Sequence, residues 1–257
     1  MDYNFHTHTY RCGHANGTET EYVDAAICAG VTHMGFSDHA PFRFPDGHES
    51  HFRVPMENAR EYVETIERLK KHYQGQITLF VGFEMEYYPL YFKEMYALAK
   101  GLGAEYLILG QHYLYNENEL HVATPRATAE PQHLIDYVDN VIAALKTGVF
   151  TYVAHPDCLN FTGDKEAYKK EMRRLIEAAK ETGTPLEINF LGIREHRHYP
   201  NEDFWRMVGE IGAPVTFGMD AHRAMDAGDQ RSVTVAMKLV EKYGLHYIGE
   251  PTLVKLN

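Results

Sequence analysis

Three histidines lie close together near the start of the chain, in the stretch FHTHTYRCGH. His6 and His8 alternate along this stretch, so an extended backbone would point both imidazoles to the same side. His14 follows six residues after His8. Imidazole nitrogens are preferred ligands of borderline divalent metals, and an HxH spacing supplies two of them together. The stretch therefore indicates the beginning of a metal site.

More histidines and carboxylates follow other short apolar runs further along the chain. They occur in the segments SDHA, GFEME, LGQHY, VAHPD and GMDAH, which supply Asp38, His39, Glu84, Glu86, His112, His155, Asp157, Asp220 and His222. A carboxylate such as Glu84 or Asp220 can bridge two ions. One such histidine alone is explained as well by structural hydrogen bonding, but the recurrence after successive runs favours metal binding.

The elements that must position these residues are short strands alternating with longer amphipathic helices. Apolar runs rich in β-branched and aromatic residues predict strands at 2–5, 32–37, 77–83, 105–110, 150–154, 185–190 and 214–219, with a weaker run at 246–249. Helical spacing of apolar residues predicts helices at 18–30, 55–73, 89–101, 131–147, 164–182, 201–212 and 228–243. Serial strand–helix units predict a parallel sheet.

The number of these units favours a closed or nearly closed (β/α) barrel formed by one domain over residues 1–257. A doubly wound open sheet is the alternative, and the lack of a Gly-rich phosphate loop after any predicted strand disfavours it. In a parallel barrel the carboxyl ends of all strands meet at one face. The histidines and carboxylates would therefore converge there.

Composition narrows the range of partners. The chain has 257 residues, is 44% hydrophobic and 24% charged, and carries a formal net charge of -11. This balance is typical of a globular protein and argues against a basic surface for nucleic acid or membranes. No apolar run is long enough to span a membrane and no leader pattern is apparent, so we expect a cytoplasmic protein. The three cysteines read as free thiols, and Cys12 is either a packed thiol or an additional ligand.

Taken in order, HTHT with its following His, FSDHA, GFEMEYYP, LGQHY, AHPD and GMDAH resemble the PHP (polymerase and histidinol phosphatase) superfamily. Within it the chain is similar to the monofunctional bacterial histidinol-phosphatase branch. The resemblance implies a distorted (β/α)7 TIM-like barrel that hydrolyses L-histidinol phosphate to L-histidinol and phosphate. It also implies three divalent ions, Zn, Mn or Fe, as cofactors.

The same resemblance implies a ligand set for each ion. The first ion would be held by His6, His8, Glu84 and Asp220. The second would share Glu84 and add His112 and His155, and the third would take His14, His39 and His222. A cluster of this kind lowers the pKa of a bound water and neutralises charge on phosphate oxygens, which predicts in-line attack of a metal-bound hydroxide on phosphorus.

A small anionic phosphate ester also needs protein groups beyond the metal ligands. Arg194, in the loop GIREHRHYP, is our candidate phosphate clamp because its guanidinium offers two parallel donors, although a solvated basic loop explains it nearly as well. His196 could donate a proton to the leaving group or to phosphate. Arg53 could reach the site if the insert 43–54 acts as a lid. Asp220 is the expected catalytic carboxylate, and Asp38 and Asp157 either orient imidazoles or cap helices.

Three other functions remain open at this stage. The first keeps the chemistry but changes the substrate to another small sugar or nucleotide phosphate, or an oligonucleotide end. The second is an amidohydrolase or deaminase, which would leave His39 and His222 without a role as ligands. The third is a metal-storing or structural barrel, which the presence of all nine candidate ligands disfavours.

Overall fold

The structure is a computed structural model that describes residues 1–119 and 122–256. The strands are β1 (Tyr3–Asn4), β2 (His33–His39), β3 (Thr78–Met85), β4 (Tyr106–Leu109), β5 (Leu186–Asn189), β6 (Pro214–Gly218) and β7 (His246–Tyr247). The α-helices are α1 (Glu19–Cys28), α2 (Ala59–His72), α3 (Phe92–Leu102), α4 (Pro131–Thr147), α5 (Lys165–Thr182), α6 (Phe190–Arg194), α7 (Glu202–Ile211) and α8 (Gln230–Tyr243). Short 3₁₀ helices occupy Tyr10–Cys12, Met56–Asn58 and Ala224–Gly228.

All strand pairs of the two sheets are parallel. One sheet has the order β1-β2-β3-β4 and the other the order β5-β6-β7. Parallel bridges at Val153, to Leu109 and to Leu186, join the sheets on one side, and a bridge between Thr7 and Ala221 joins them on the other. The expected TIM-like barrel is therefore confirmed, with a curled parallel sheet at its centre. The predicted strand at 150–154 is reduced to the bridge at Val153, and the weak run near 246 forms β7.

Strand alternation separates the barrel interior from the layer that packs on the helices. In β3, the odd-numbered residues Leu79, Val81, Phe83 and Met85 belong to the main core against the helices. The even-numbered Gly82 and Glu84 face inward, as the two-residue repeat of a strand requires. A second apolar cluster fills the barrel below the site with Tyr3, Phe5, Tyr106, Ile108, Tyr152 and Ala154. The barrel interior is therefore filled with apolar side chains below the site and lined with polar side chains at the site.

Local sequence signals place the helix starts. Thr18 and Glu21 form a reciprocal capping box at the start of α1. Asp164, Asn201 and Asp229 accept hydrogen bonds from the first turns of α5, α7 and α8. No helix in the described part of the chain combines the length and apolar character needed to cross a membrane.

Candidate metal centre

The first strand delivers two histidines to the carboxyl end of the barrel. His8 N donates to Ala221 O and Ala221 N donates to His6 O, which fixes this segment against the end of β6. The 3₁₀ turn Tyr10–Cys12 then reverses the chain and brings His14 back. The His14 ring lies 4.7 Å from that of His222 and 5.4 Å from that of His39, measured between ring centroids.

The structure brings all nine predicted ligands together at this end of the barrel. Their nitrogen and oxygen atoms fall into groups of three whose members lie within 4.8 Å of one another. The groups are His6–His8–Glu84, His6–His155–Asp220, His39–Glu84–His112 and His14–His39–His222, and a fifth adds Cys12 to His8 and His222. The trio predicted for the third ion forms one of these groups, and the groups overlap through His6, His8, His39, His222 and Glu84.

Glu84 lies at the centre of the cluster. Its Oε1 is 2.9 Å from His155 Nε2 and 3.4 Å from His112 Nε2. Its Oε2 is 3.2 Å from His39 Nδ1 and 3.5 Å from Nε2 of both His6 and His8. Gly110, just past the end of β4, leaves the space for this carboxylate, because a Cβ built at Gly110 would overlap it. One carboxylate therefore contacts five of the seven histidines.

Asp220 is the second carboxylate of the cluster, and its backbone is unusual. Its φ of 45° is rare for a residue with a side chain. Its Oδ1 lies 3.3 Å from His8 Nε2 and 3.2 Å from His222 Nδ1, while Asn189 donates to Oδ2 at 3.0 Å. The strained backbone is held from outside the cavity by Arg194, whose Nη2 donates to Asp220 O at 2.9 Å.

Several buried polar atoms of the cluster have no hydrogen-bond partner among the described residues. They include His6 Nε2, His39 Nδ1, Glu84 Oε2, Asp220 Oδ1 and His222 Nε2. Unpaired buried polar atoms are costly and need an explanation. Here the atoms converge, and imidazole and carboxylate donors are those that Zn, Mn and Fe accept. The residues present therefore fit divalent metal ions.

A carboxylate also faces the Nδ1 atom of three of the imidazoles, on the side of the ring away from the cluster centre. His6 Nδ1 is 2.8 Å from Glu187 Oε1, and His112 Nδ1 is 2.7 Å from Glu86 Oε1. His8 Nδ1 is 3.5 Å from Asp38 Oδ1. Such partners fix the ring orientation and tautomer of a metal ligand and raise its basicity. Asp157 instead accepts from Asn201 N and Trp205 Nε1 and so fixes the start of α7.

Glu187 is a site residue that the sequence analysis missed. It is fully buried in β5, where its Oε2 also accepts from His155 N at 2.9 Å and from Asn189 Nδ2 at 2.9 Å. Gly218 at the end of β6 makes room for it, because a Cβ there would overlap the Glu187 carboxylate. The available signal was a charged residue inside the short buried run LEIN.

The cluster divides into two parts with opposite electrostatics. We call His6, His8, His112, His155, Glu84 and Asp220 the inner group, and His14, His39 and His222 the outer trio. Burial opposes protonation of His6, but Glu187, Asp220 and Glu84 outweigh it and raise the pKa of His6 to about 9. Burial and the neighbouring His222 and His8 lower the pKa of His14 to about 4, and burial lowers the pKa of His39 and His222 as well.

The three residues predicted to bind phosphate or move protons lie elsewhere. Arg53 is buried and paired with Glu86 and Glu117 at 2.6 and 2.8 Å. Arg194 donates to Met219 O, Asp220 O and Asp229, so its guanidinium is occupied in holding the backbone. Neither these two arginines nor His196 is among the described residues that line the cavity above the cluster. From the loop GIREHRHYP, the described lining of the cavity includes Glu195, Arg197 and Tyr199.

The cavity above the cluster has a volume of about 470 Å³ and is open to solvent. Phe52 and Tyr113, whose ring centroids are 5.7 Å apart, form an aromatic wall beside His39 and His112. Glu195 and Arg197 supply the lining with one further carboxylate and one guanidinium. The cavity thus combines a floor of candidate metal ligands with an aromatic wall and a pair of opposite charges.

Comparison with known proteins identifies a family and a fold that cover most of the chain. The profile of the PHP domain matches residues 4–190. A protein named "Probable histidinol-phosphatase" in Deinococcus radiodurans is 28% identical over 87% of each chain. The "Histidinol-phosphatase" of Lactococcus lactis is 24% identical, covering 100% of this chain and 96% of its own. The crystal structure of histidinol phosphate phosphatase from Lactococcus lactis, complexed with Zn, L-histidinol and phosphate, superposes with a TM-score of 0.73 at 18% identity, covering 99% of this chain and 97% of that one.

Proposed function

The chain belongs to the PHP domain family, and on that premise we propose that it is a metal-dependent phosphomonoesterase that hydrolyses L-histidinol phosphate to L-histidinol and phosphate. The observation that carries this proposal is the convergence of seven histidines and two carboxylates on the floor of an open cavity. The names of the curated relatives, which match most of the chain, support the substrate.

We assign three divalent ions, Zn, Mn or Fe, to this floor. The first is assigned to His6, His8, Glu84 and Asp220, the second to Glu84, His112 and His155, and the third to His14, His39 and His222. The buried unpaired atoms of these residues support the assignment. Ions bound there would acidify water and neutralise charge on the phosphate oxygens.

The protein's own groups fix these ligands before substrate arrives. Glu187 and Glu86 orient the rings of His6 and His112, so that Nε2 of each faces the centre of the cluster. Asn189 and Arg194 hold the Asp220 carboxylate and backbone. Because these groups are already oriented, they need little reorganisation as charge develops in the transition state, and this lowers the barrier.

In place of Arg194, we assign the phosphate clamp to Arg197. Its guanidinium lines the cavity, and a guanidinium donates two parallel hydrogen bonds to phosphate oxygens. The aromatic wall of Phe52 and Tyr113 would receive the imidazole ring of the substrate. No group is assigned to the role proposed for His196, because His196 is absent from the described lining of the cavity.

The test is phosphate release from L-histidinol phosphate by metal-replete protein, beside a panel of sugar phosphates, nucleoside monophosphates and short 5′-phosphorylated oligonucleotides. We expect a clear preference for L-histidinol phosphate that Arg197→Ala weakens mainly through KM. Similar rates across the panel would support a phosphomonoesterase but would contradict L-histidinol phosphate as its specific substrate. No phosphate release from any ester, together with hydrolysis of a cyclic amide assayed beside them, would replace the proposal with the amidohydrolase alternative.

A further inference from the structure

We propose that Glu195 is a specificity residue that binds the ammonium group of the substrate at the mouth of the cavity. The inference deepens the proposed function and rests on it. L-Histidinol phosphate carries three recognisable groups: a phosphate, an imidazole ring and an amine on the carbon next to the ester methylene. The metal floor and the aromatic wall account for the first two, and Glu195 accounts for the third.

The charges that line the cavity support this role. Apart from the nine candidate ligands, the described lining residues with a formal charge are Glu195 and Arg197. Arg197 Nε and Nη2 donate to Glu195 Oε2 at 2.9 and 2.6 Å. The side chain of Glu195 is 46% exposed and that of Arg197 is 38% exposed. An ion pair with this much exposure contributes little to the stability of the fold. The pair can therefore exchange partners when a charged ligand enters.

The loop that carries the pair is firmly held. Arg197 N donates to Gly192 O at 3.0 Å, and His198 Nε2 lies 2.8 Å from Cys158 O. Tyr199 is buried, with its ring centroid 6.1 Å from that of His155, and its hydroxyl accepts from Arg197 Nη1 at 3.0 Å. Glu195 and Arg197 therefore project from a fixed backbone beside the inner group.

Exchange of partners follows from the chemistry of the ligand. A phosphate dianion offers the Arg197 guanidinium a stronger acceptor than one carboxylate oxygen. Once Arg197 turns to phosphate, the Glu195 carboxylate is left beside the bound ester without its cation. The substrate ammonium, whose nitrogen is three bonds from the ester oxygen, replaces that cation. Phosphate, amine and ring then meet three different parts of the cavity, so the site distinguishes the two enantiomers.

The test uses Glu195→Gln and three esters: L-histidinol phosphate, D-histidinol phosphate and the amine-free 3-(imidazol-4-yl)propyl phosphate. We expect kcat/KM for the L ester to fall about 10- to 100-fold, the range for losing one hydrogen bond to a charged group. The amine-free ester should change less than about twofold, and the ratio of L to D rates should approach one. Glu202→Gln, which removes the exposed partner of Lys242, is the matched control and should leave all three rates unchanged.

Competition by inorganic phosphate separates this role from an indirect effect through Arg197. If Glu195 only positioned Arg197, the inhibition constant for phosphate would rise in Glu195→Gln, and all three esters would lose activity equally; that pattern overturns the inference. A wild-type enzyme that cleaves L-histidinol phosphate no faster than the amine-free ester overturns the inference alone. A wild-type enzyme that does not cleave L-histidinol phosphate overturns both this inference and the proposed function.

Discussion

The inner group and the outer trio use the same side chain in two different settings. In the inner group, His6 and His112 each have a buried glutamate behind the ring, at 2.8 and 2.7 Å. Glu84 neighbours both rings, and Asp220 neighbours His6. In the outer trio, His14 Nδ1 faces the backbone carbonyl of Cys12 at 2.9 Å, and the side chain of His14 is exposed. Carboxylates lie behind rings of the inner group, whereas the outer trio meets negative charge through Glu84, beside His39, and Asp220, beside His222.

This difference indicates that the inner group and the outer trio would bind the proposed ions with different affinities. Two ligand carboxylates and two backing glutamates favour a cation in the inner group before any substrate is present. Three imidazoles of lowered pKa accept a cation without first losing protons, but they add no negative charge. We therefore expect tight ions inside and an exchangeable ion at the rim.

Glu84→Gln should have the largest effect, because its carboxylate contacts five histidines. We expect kcat/KM for phosphate release to fall about 10³-fold, since an electrostatic stabiliser of the reacting group is lost. Elemental analysis should show loss of inner ions while the outer ion is retained. Glu171→Gln, a buried glutamate paired with Arg174 on α5, is the control. Full activity in Glu84→Gln would contradict the assignment of both inner ions.

Glu187→Gln should have the next largest effect. The amide keeps the size of the side chain in its buried site but removes the charge behind His6, so we expect a 10- to 100-fold loss of inner metal affinity or activity. Competition with a chromogenic chelator measures each affinity. An equal loss of affinity in the outer trio would show that Glu187 merely supports the fold.

His14→Ala should have a smaller effect on catalysis. The inner group stays intact and excess metal compensates for one missing imidazole, so we expect less than a tenfold fall in kcat at saturating metal. The bound metal should drop by one ion after dialysis against dilute chelator, and the same dialysis should remove one ion first from the wild type. Simultaneous loss of all ions from the wild type would erase the distinction between the two regions.

In the metal-free protein, the inner group and the outer trio should make the stability of the fold depend on pH in opposite ways. The pKa of His6 is raised to about 9, so its protonated form stabilises the fold below pH 6.5, and that stability is lost as pH rises through 9. The loss amounts to at most about 3 kcal/mol. His14, with its pKa lowered to about 4, acts in the opposite sense and destabilises the metal-free fold as pH falls from 6.5 towards 4.

Thermal unfolding of metal-free protein between pH 6.5 and 9 measures this contrast. His6→Gln should flatten the decline in Tm over this range, and His14→Gln should leave it unchanged. An identical response of the two variants would mean that the surrounding carboxylates do not distinguish the regions.

Much of the fold was predictable because short-range signals determine it. The helix predicted at 131–147 has the same bounds as α4, and capping residues fixed the starts of α1 and α5 within one residue of prediction. The segment 150–154 reads as a strand because its residues are apolar, but only Val153 makes bridges there. Pairing depends on neighbouring strands, which local sequence does not specify.

The candidate ligands were predictable because they lie near the carboxyl ends of predicted strands, and parallel strands end at one face. The residues behind them and the substrate groups were harder to predict. Glu187 contacts His6 only because of the register between β5 and β6 and the space at Gly218. The one-turn helix α6 carries Arg194 beneath Asp220 and leaves Arg197 to face the cavity. Arg194 contacts backbone carbonyls whereas Arg197, three residues later, lines the cavity, and composition alone cannot resolve this difference.

The two glycines opposite Glu84 and Glu187 have a consequence for evolution. Gly110 and Gly218 give up their side-chain volume to a carboxylate on a neighbouring strand, so neither member of a pair can change independently. An alanine at Gly218 should be tolerated only together with a shorter residue at position 187, which would no longer reach His6. We expect the two Glu–Gly pairs to be inherited as units, so that a homologue that has lost one of these glycines has also lost the carboxylate it accommodates.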